Sequence, residues 1–351
     1  MNTAIGQPFP HQFIERGSRR LVTERPVGDR FVHYLYHRLR EDAPTMFRLL
    51  TSRRVSSLLA FCRYDLPSNS RRCGRYLFEG IGADWRECCQ PLSFFDSHRK
   101  VFERQIRYWE TRPMEVDERA VLSPCDARLL LGSLTRGSSL FIKEKFFSTT
   151  ELFGHGTPWS NRFVDGDFAI FRLTPDKYHY THLPVSGRVV DIYGVDGRYH
   201  SCNPAALIVM ASLYCKNRRL VTVIDTDVPG GSQVGLVAMV EIVALMIGDL
   251  AEAYSDQRYD RPRQLRPGVT VRRGSPRSLF KPGSSTVVLF FEPGRIRFAD
   301  DLVDNAGRRD VFSRYSHRFG RPLVETDVRV RSTIACRKAA AAPHPILGGT
   351  I

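Results

Sequence analysis

The sequence predicts an α+β fold: a mainly antiparallel β core of sandwich or barrel-like form, preceded by a helical N-terminal region. Three observations predict it. Between residues 31 and 61 apolar side chains recur at three- and four-residue spacings with arginines between them. After Pro113 the texture changes to short β-branched and aromatic runs cut by Gly and Pro. The 351 residues contain 42% hydrophobic and 25% charged side chains, the balance of a chain that buries a large core.

Taken in order, residues 1–30 are rich in Arg, Pro and Gly and read as a loosely ordered arm. Val32, Leu35 and Leu39, then Met46, Leu49 and Leu50, then Val55, Leu58 and Leu59 form apolar stripes, interrupted at Pro44. They describe two basic amphipathic helices, suited to covering a core or lying on an anionic membrane. A further helical stretch is expected from Phe94 to Trp109, with Arg104, Arg107 and Arg112 facing phosphates or water. Strands are expected at 120–122, 129–131, 139–142, 168–173, 188–193, 220–225, 233–243, 269–271 and 286–291. Asn203-Pro204 opens a helix expected over 205–213, because Pro suits a first helical position. The Ala-rich tail from Arg337 to Ile351 reads as loose. The division expected is a basic helical region over 1–112 and a catalytic domain over 113–351.

The formal net charge is +15, from 52 Lys and Arg against 37 Asp and Glu. Such a surface attracts polyanions, whether nucleic acid or an anionic lipid face. A helix-turn-helix, a zinc finger and an aromatic RNA-binding signature are all missing from the sequence, so nucleic acid is not the expected partner. The eight cysteines form no Cys-x-x-Cys pair and offer no zinc spacing; reduced thiols are expected. The longest apolar stretch, Val234 to Leu250, is interrupted by Glu241 and Asp249 and falls short of the ~20 residues a membrane span needs. With no secretory signal visible, the expected location is cytoplasmic or peripheral on the cytoplasmic face of a membrane.

Three segments carry chemistry. Ser123-Pro124-Cys125-Asp126 sets a carboxylate in a turn between two apolar runs. Tyr178-His179-Tyr180-Thr181-His182-Leu183-Pro184 holds two histidines three residues apart, a metal pair only if a third ligand joined them, and none lies nearby in sequence. Gly283-Ser284-Ser285-Thr286 puts a small residue before hydroxyls at the threshold of a strand, where a backbone can be made to cut itself.

Together these strings resemble the phosphatidylserine decarboxylase family of pyruvoyl enzymes. That family's pattern runs from Ser-Pro-x-Asp through Tyr-His-x-x-His-x-Pro-x-x-Gly and an Asn-Glu-Arg to Gly-Ser before an apolar strand and a Pro-Gly. The matching residues here are Ser123 to Asp126, Tyr178 to Pro184 with Gly187, Asn217-Arg218-Arg219, and Gly283 to Thr286 with Pro293-Gly294. Ala127 stands where the family has Gly, and Arg218 where it has Glu. The resemblance covers about residues 100–300.

The resemblance implies a proenzyme that cuts itself and converts a serine into a covalent pyruvoyl cofactor, with no metal. It implies His182 as the base for the serine, Asp126 orienting that imidazole, and His179 serving the substrate carboxylate or the reprotonation. Counting forward to Gly283 gives Ser284 the pyruvoyl position; counting back from Pro293-Gly294 gives it to Ser285. Cleavage between Gly283 and Ser284 keeps glycine on the acyl side and yields a β chain of 1–283 and an α chain of 284–351, which stay associated. The substrate implied is phosphatidylserine at a membrane surface. The alternatives are a free amino acid, aromatic ones included, for the same chemistry, or a basic binding protein without catalysis. Oligomerisation is left open.

Overall fold

The computed structural model describes residues 10–24, 29–65, 73–135, 146–245, 249–283 and 285–339. Ser284, the 139–142 strand expectation in its entirety and most of the C-terminal tail lie outside the described residues. The strands in the first half are β1 (Gln12–Glu15), β2 (Leu21–Thr23), β3 (Ala120–Leu122), β4 (Ala127–Ser133), β5 (Asp167–Leu173), β6 (Tyr180–His182), β7 (Gly187–Val195) and β8 (Arg219–Asp225). Those in the second half are β9 (Leu236–Val243), β10 (Leu250–Glu252), β11 (Thr270–Val271), β12 (Pro276–Phe280), β13 (Ser285–Phe291), β14 (Ile296–Phe298), β15 (Glu325–Val328) and β16 (Thr333–Arg337).

Ten of them make one sheet in the order β11-β7-β8-β9-β13-β5-β4-β15-β1-β2, antiparallel except where β1 runs parallel to β15. Two three-stranded sheets, β10-β12-β6 and β14-β16-β3, accompany it. The mainly antiparallel α+β architecture expected from the sequence is the one observed. β13 sits at the centre, flanked by β9 and β5 along its whole length, and all seven of its residues are buried. A strand covered on both faces has no polar face to show, which is why Val287-Val288-Leu289-Phe290-Phe291 is continuously apolar. Val288 and Phe290 enter one core with the N-terminal helices; Val287, Leu289 and Phe291 enter the core on the other face. Each such side chain contributes about 1.5–3 kcal/mol of burial.

Three expectations are corrected. The N-terminal arm is not loose over 10–24: Phe13 and Ile14 are buried as β1 extends the main sheet. It is fastened by Arg172, which donates to both Glu24 and Glu325 at 2.6–2.9 Å, while His11 lies 2.7 Å from Glu325. The helix expected over 94–109 breaks into Leu92–Phe94, His98–Phe102 and Tyr108–Thr111. The helix expected over 205–213 stops at Leu207 and resumes as Leu213–Lys216, preceded by Ser212 in the left-handed region. In the N-terminal region Pro44 begins the helix Pro44–Leu50, as a first-position proline should.

Candidate active site

Asp126 and both histidines are brought together in one buried zone between the main sheet and the sheet containing β6. Pro124 accepts a hydrogen bond from the His182 backbone at 2.7 Å, so the Ser123–Asp126 turn lies directly against β6. β12 pairs on the other side of β6, and the backbone N–H of Phe280 donates to the carbonyl of His179 at 3.1 Å. From Phe280 the chain needs only three residues to reach Gly283.

The expected hydrogen bond from Asp126 to His182 is not made. Arg112 Nε and Nη2 donate to the Asp126 carboxylate at 2.8–3.3 Å, and the Val330 backbone donates at 2.7 Å. A guanidinium carries full charge and a planar fork of donors, so it outcompetes a neutral imidazole for a buried carboxylate. Burial opposes ionisation of Asp126, but Arg112 and the Val330 N–H outweigh it and hold the carboxyl below its ordinary value. Arg112 also binds Glu87 at 2.9–3.0 Å. Arg104 likewise points inward, donating to the carbonyls of Val101 and Asp176 at 2.9 and 2.6 Å. The expectation that these arginines face phosphate or water is therefore overturned for Arg104 and Arg112, which compensate buried acceptors, while Arg107 stays partly exposed.

His182 is oriented instead by Gly274, whose carbonyl lies 2.9 Å from Nδ1, while Nε2 lies 3.0 Å from the Tyr178 hydroxyl. Tyr178 continues to the Tyr259 hydroxyl at 2.7 Å, and that oxygen accepts from the Ile106 N–H at 3.2 Å. Nδ1–H donates to Gly274, so Nε2 accepts from Tyr178, and the single Tyr259 proton goes either to Tyr178 or to the Ile106 carbonyl, which lies 2.8 Å away. The carbonyl thereby fixes the Nδ1–H tautomer and leaves the basic lone pair on Nε2.

His179 is fully buried and stacked on Phe102, ring centroids 3.5 Å apart. Neither ring nitrogen makes a full hydrogen bond among the described residues, the Lys177 backbone being the polar group beside them. Burial pushes both histidines down to about 3; Arg104 adds to the effect on His179, and Asp126 opposes it at both. Both are neutral at physiological pH, the state in which an imidazole accepts a proton.

At the head of β13, Gly283 is buried with φ +147°, a region that favours glycine. Ser285 is the first residue of the strand, paired to Leu173 and Val243, and its buried hydroxyl has no partner among the described residues. Thr286 turns to the opposite face, with Cys202 and Tyr214 beside its hydroxyl.

Sequence reasoning missed Tyr178 as the partner of His182, and it missed Glu241. Glu241 is fully buried on β9, opposite Val287, and so shares a sheet face with Ser285 two residues away. One of its carboxylate oxygens accepts from Thr181 at 2.8 Å and from Ser278; the other has no partner among the described residues. The signal was there: an acid within an otherwise apolar strand. The Asn217-Arg218-Arg219 string is structural at two of its positions. Asn217 makes paired hydrogen bonds with the His200 backbone at 2.8 and 2.9 Å, and Arg219 donates to four carbonyls, those of Glu151, Leu152, Cys215 and Asn217. A cluster with metal-ligand spacing, His11, Glu24 and Glu325, lies away from this zone with Arg172 donating to both carboxylates.

A family profile described as phosphatidylserine decarboxylase matches residues 99–316. The chain is similar to the phosphatidylserine decarboxylase proenzyme of Bordetella petrii, 31% identical over 264 residues, which cover 70% of this chain and 86% of that relative. It is similar to the proenzyme of the same description from Fusobacterium nucleatum, 24% identical over 295 residues, covering 84% and 91%. A third, from Ruminiclostridium cellulolyticum, is 27% identical over 295 residues, covering 83% and 91%.

Proposed function

The chain belongs to the phosphatidylserine decarboxylase family, and from that premise we propose that it cuts its own Gly283–Ser284 bond and works through Asp126, His179 and His182. It is a carboxy-lyase that removes carbon dioxide from phosphatidylserine and leaves phosphatidylethanolamine. The observation that carries the site assignment is the head of β13: a buried glycine at positive φ immediately ahead of a ladder that begins at Ser285. The Gly283–Ser284 bond precedes the strand, whereas Ser285 is already held in register from both sides. This supports Ser284 over Ser285 as the pyruvoyl precursor.

In the cut, Ser284 Oγ bonds to the Gly283 carbonyl carbon, the C–N bond breaks, and the hydroxyl proton ends on the freed amine. Loss of the Ser284 Cα proton then expels the Gly283 carboxylate from Cβ. Water replaces the nitrogen, ammonia leaves, and a ketone remains at the new N-terminus. The hydroxyl needs a base, and neutral His182 supplies it once Tyr178 yields Nε2. Asp126 acts from beside Arg112, through its charge, not through a hydrogen bond to the ring.

The residues around this position fit a pyruvoyl group: Pro282, Gly283 and Ser285 are buried, and the Ser285 hydroxyl, without a partner among the described residues, can donate to a carbonyl. The group supplies the electron sink for the pair released as carbon dioxide departs. His179, neutral and unbridged, offers one N–H to the substrate carboxylate and one lone pair to the proton that returns to carbon.

The described helices between 31 and 65 expose Phe31, Tyr34, Met46, Leu49, Leu58 and Phe61 among arginines. No helix among the described residues is long and apolar enough to cross a membrane. The exposed side chains suit peripheral contact with an anionic bilayer, where each well-placed basic residue contributes about 1 kcal/mol. Intact mass tests the reading: fragments of 1–283 and 284–351 are expected, the second reactive with carbonyl reagents. An unsplit chain would overturn it, and normal splitting in Ser284→Ala would move the cut elsewhere.

A further inference from the structure

The N-terminal helices do more than cover the core; they wall a cavity against residues 197–216, a segment whose Cys202 lies beside Thr286. Pro44 starts the helix Pro44–Leu50, which buries Phe47 and turns Arg48 to the same side, while the Thr51 carbonyl accepts from the Tyr199 N–H at 3.2 Å. Gly197 lets the chain pass so close to Asn217 that a Cβ would collide with the Asn217 backbone. That approach sets Arg198 beside Lys216, whose carbonyl accepts from the Arg198 N–H at 2.7 Å. The result is a cavity of 620 Å³ rimmed by Arg40, Arg48, Arg198 and Lys216 over a floor of Phe47 and Met210.

Three features point to a ligand. Arg48, Arg198 and Lys216 are exposed, and none forms an ion pair with a carboxylate among the described residues. His200 lines the same cavity, is 2% exposed, and its Nδ1 has no partner among the described residues. Arg198 and Lys216 are close enough to His200 to join burial in pushing its ring down to about 4, so their charges converge on the cavity. Unneutralised cations above an apolar floor match an anion carried on an apolar body.

We infer that this cavity holds the phosphodiester of a membrane phospholipid, with Arg48, Arg198 and Lys216 on the phosphate and Phe47 and Met210 against the glycerol and first acyl carbons. The site is placed to serve the reaction. His200 stands two residues before Cys202, which lies against Thr286, and its carbonyl accepts from the Leu245 N–H two residues beyond Val243, the partner of Ser285. The cavity therefore lies beside the strand ends that carry the proposed pyruvoyl position, on the face of the main sheet to which Thr286 turns. This rests on the phospholipid reading above and adds to it the group that recognises the substrate's phosphate.

The test uses the full, self-processed chain and its Arg48→Gln/Arg198→Gln double variant, with Lys216→Gln as an independent variant. Arg54→Gln, an exposed arginine outside the cavity, controls for general surface charge. With water-soluble dihexanoyl phosphatidylserine, loss of two charge-assisted contacts should raise KM about tenfold while kcat stays within about twofold, with Arg54→Gln unchanged. That result assigns the cavity to the substrate's own phosphodiester. If KM for the soluble substrate is unchanged, but phosphatidylglycerol in the vesicles activates the parent chain and not the double variant, the phosphodiester belongs to a second lipid. If neither effect occurs, or Arg54→Gln matches the double variant in both assays, the inference is overturned. Intact mass and vesicle flotation of every variant keep the two readings apart. An unsplit parent chain sinks the Ser284 assignment, while flotation of phosphatidylserine vesicles still reads the cavity, which fails if the double variant floats like Arg54→Gln.

Discussion

The Asp126 carboxylate is engaged by Arg112, with three contacts of 2.8–3.3 Å, and not by the imidazole of His182. The pair is almost wholly buried, so its two halves are not separately removable. Arg112→Gln leaves the Asp126 charge buried without its counter-ion, with the Val330 N–H still donating to it, and should cost about 3–5 kcal/mol of stability, more than Asp126→Asn, which keeps a hydrogen-bonding partner for the guanidinium. Thermal melts of both variants check the order. The folded Asp126 carboxyl lies below its unfolded value, so its contribution is full above about pH 4 and is lost as pH falls through the folded value.

His179 and His182 fall to about 3 on burial, against about 6.5 in an unfolded chain. Between those values the unfolded chain binds protons that the folded chain refuses. Stability is therefore full above about pH 6.5 and declines as pH falls toward 3. His179→Phe, which keeps the stack on Phe102, should flatten the decline. Melting temperature against pH, on the uncleaved Ser284→Ala background, measures it; an unchanged slope would show that His179 is not refused its proton.

Gly283→Ala places a Cβ at a φ of +147°. The strain is of order 1–3 kcal/mol, so the variant should split at least about fivefold more slowly or fold with displaced strand heads. A time course of fragment appearance by mass, beside circular dichroism, separates the two. Ser285→Ala, with no hydrogen bond to lose among the described residues, should still split.

Glu241 receives the hydroxyls of Thr181 and Ser278 on the face it shares with Ser285. Glu241→Ala removes the shared acceptor; because the Thr181 and Ser278 hydroxyls lie 2.8 Å apart one can donate to the other, so a single buried donor is stranded, at about 1–3 kcal/mol. Glu241→Gln keeps an acceptor and should recover most of that stability. If splitting in Glu241→Gln remains slow although its melting temperature is restored, the charge itself contributes to processing.

Arg172 joins β5 to the N-terminal arm through Glu24 and Glu325. Glu325→Ala should therefore cost about 3–5 kcal/mol and loosen β1, read as faster proteolysis near residues 10–24.

Much of the fold was legible locally. The β runs at 120–122, 168–173, 188–193, 220–225 and 286–291 were read within a residue or two of their observed limits, because period and β-branching act within a strand. β6, β12 and β15 were not read. They are short, and His182, Arg277 and Glu325 break their apolar pattern with groups whose partners lie elsewhere in the chain. The helix expected from Phe94 to Trp109 failed for a related reason: Arg104 turns to buried carbonyls, and no spacing rule anticipates that.

The sequence by itself determined the ingredients: Asp126, two histidines, and a Gly-Ser step before a wholly apolar strand. It also determined the family they belong to. Only the tertiary structure decided who holds whom. Arg112 takes Asp126, Gly274 and Tyr178 take His182, and Glu241 comes to the face of Ser285, because buried charges and donors settle with partners set by strand register. Those partners are brought close by the packing of sheets, and sequence distance carries no record of it.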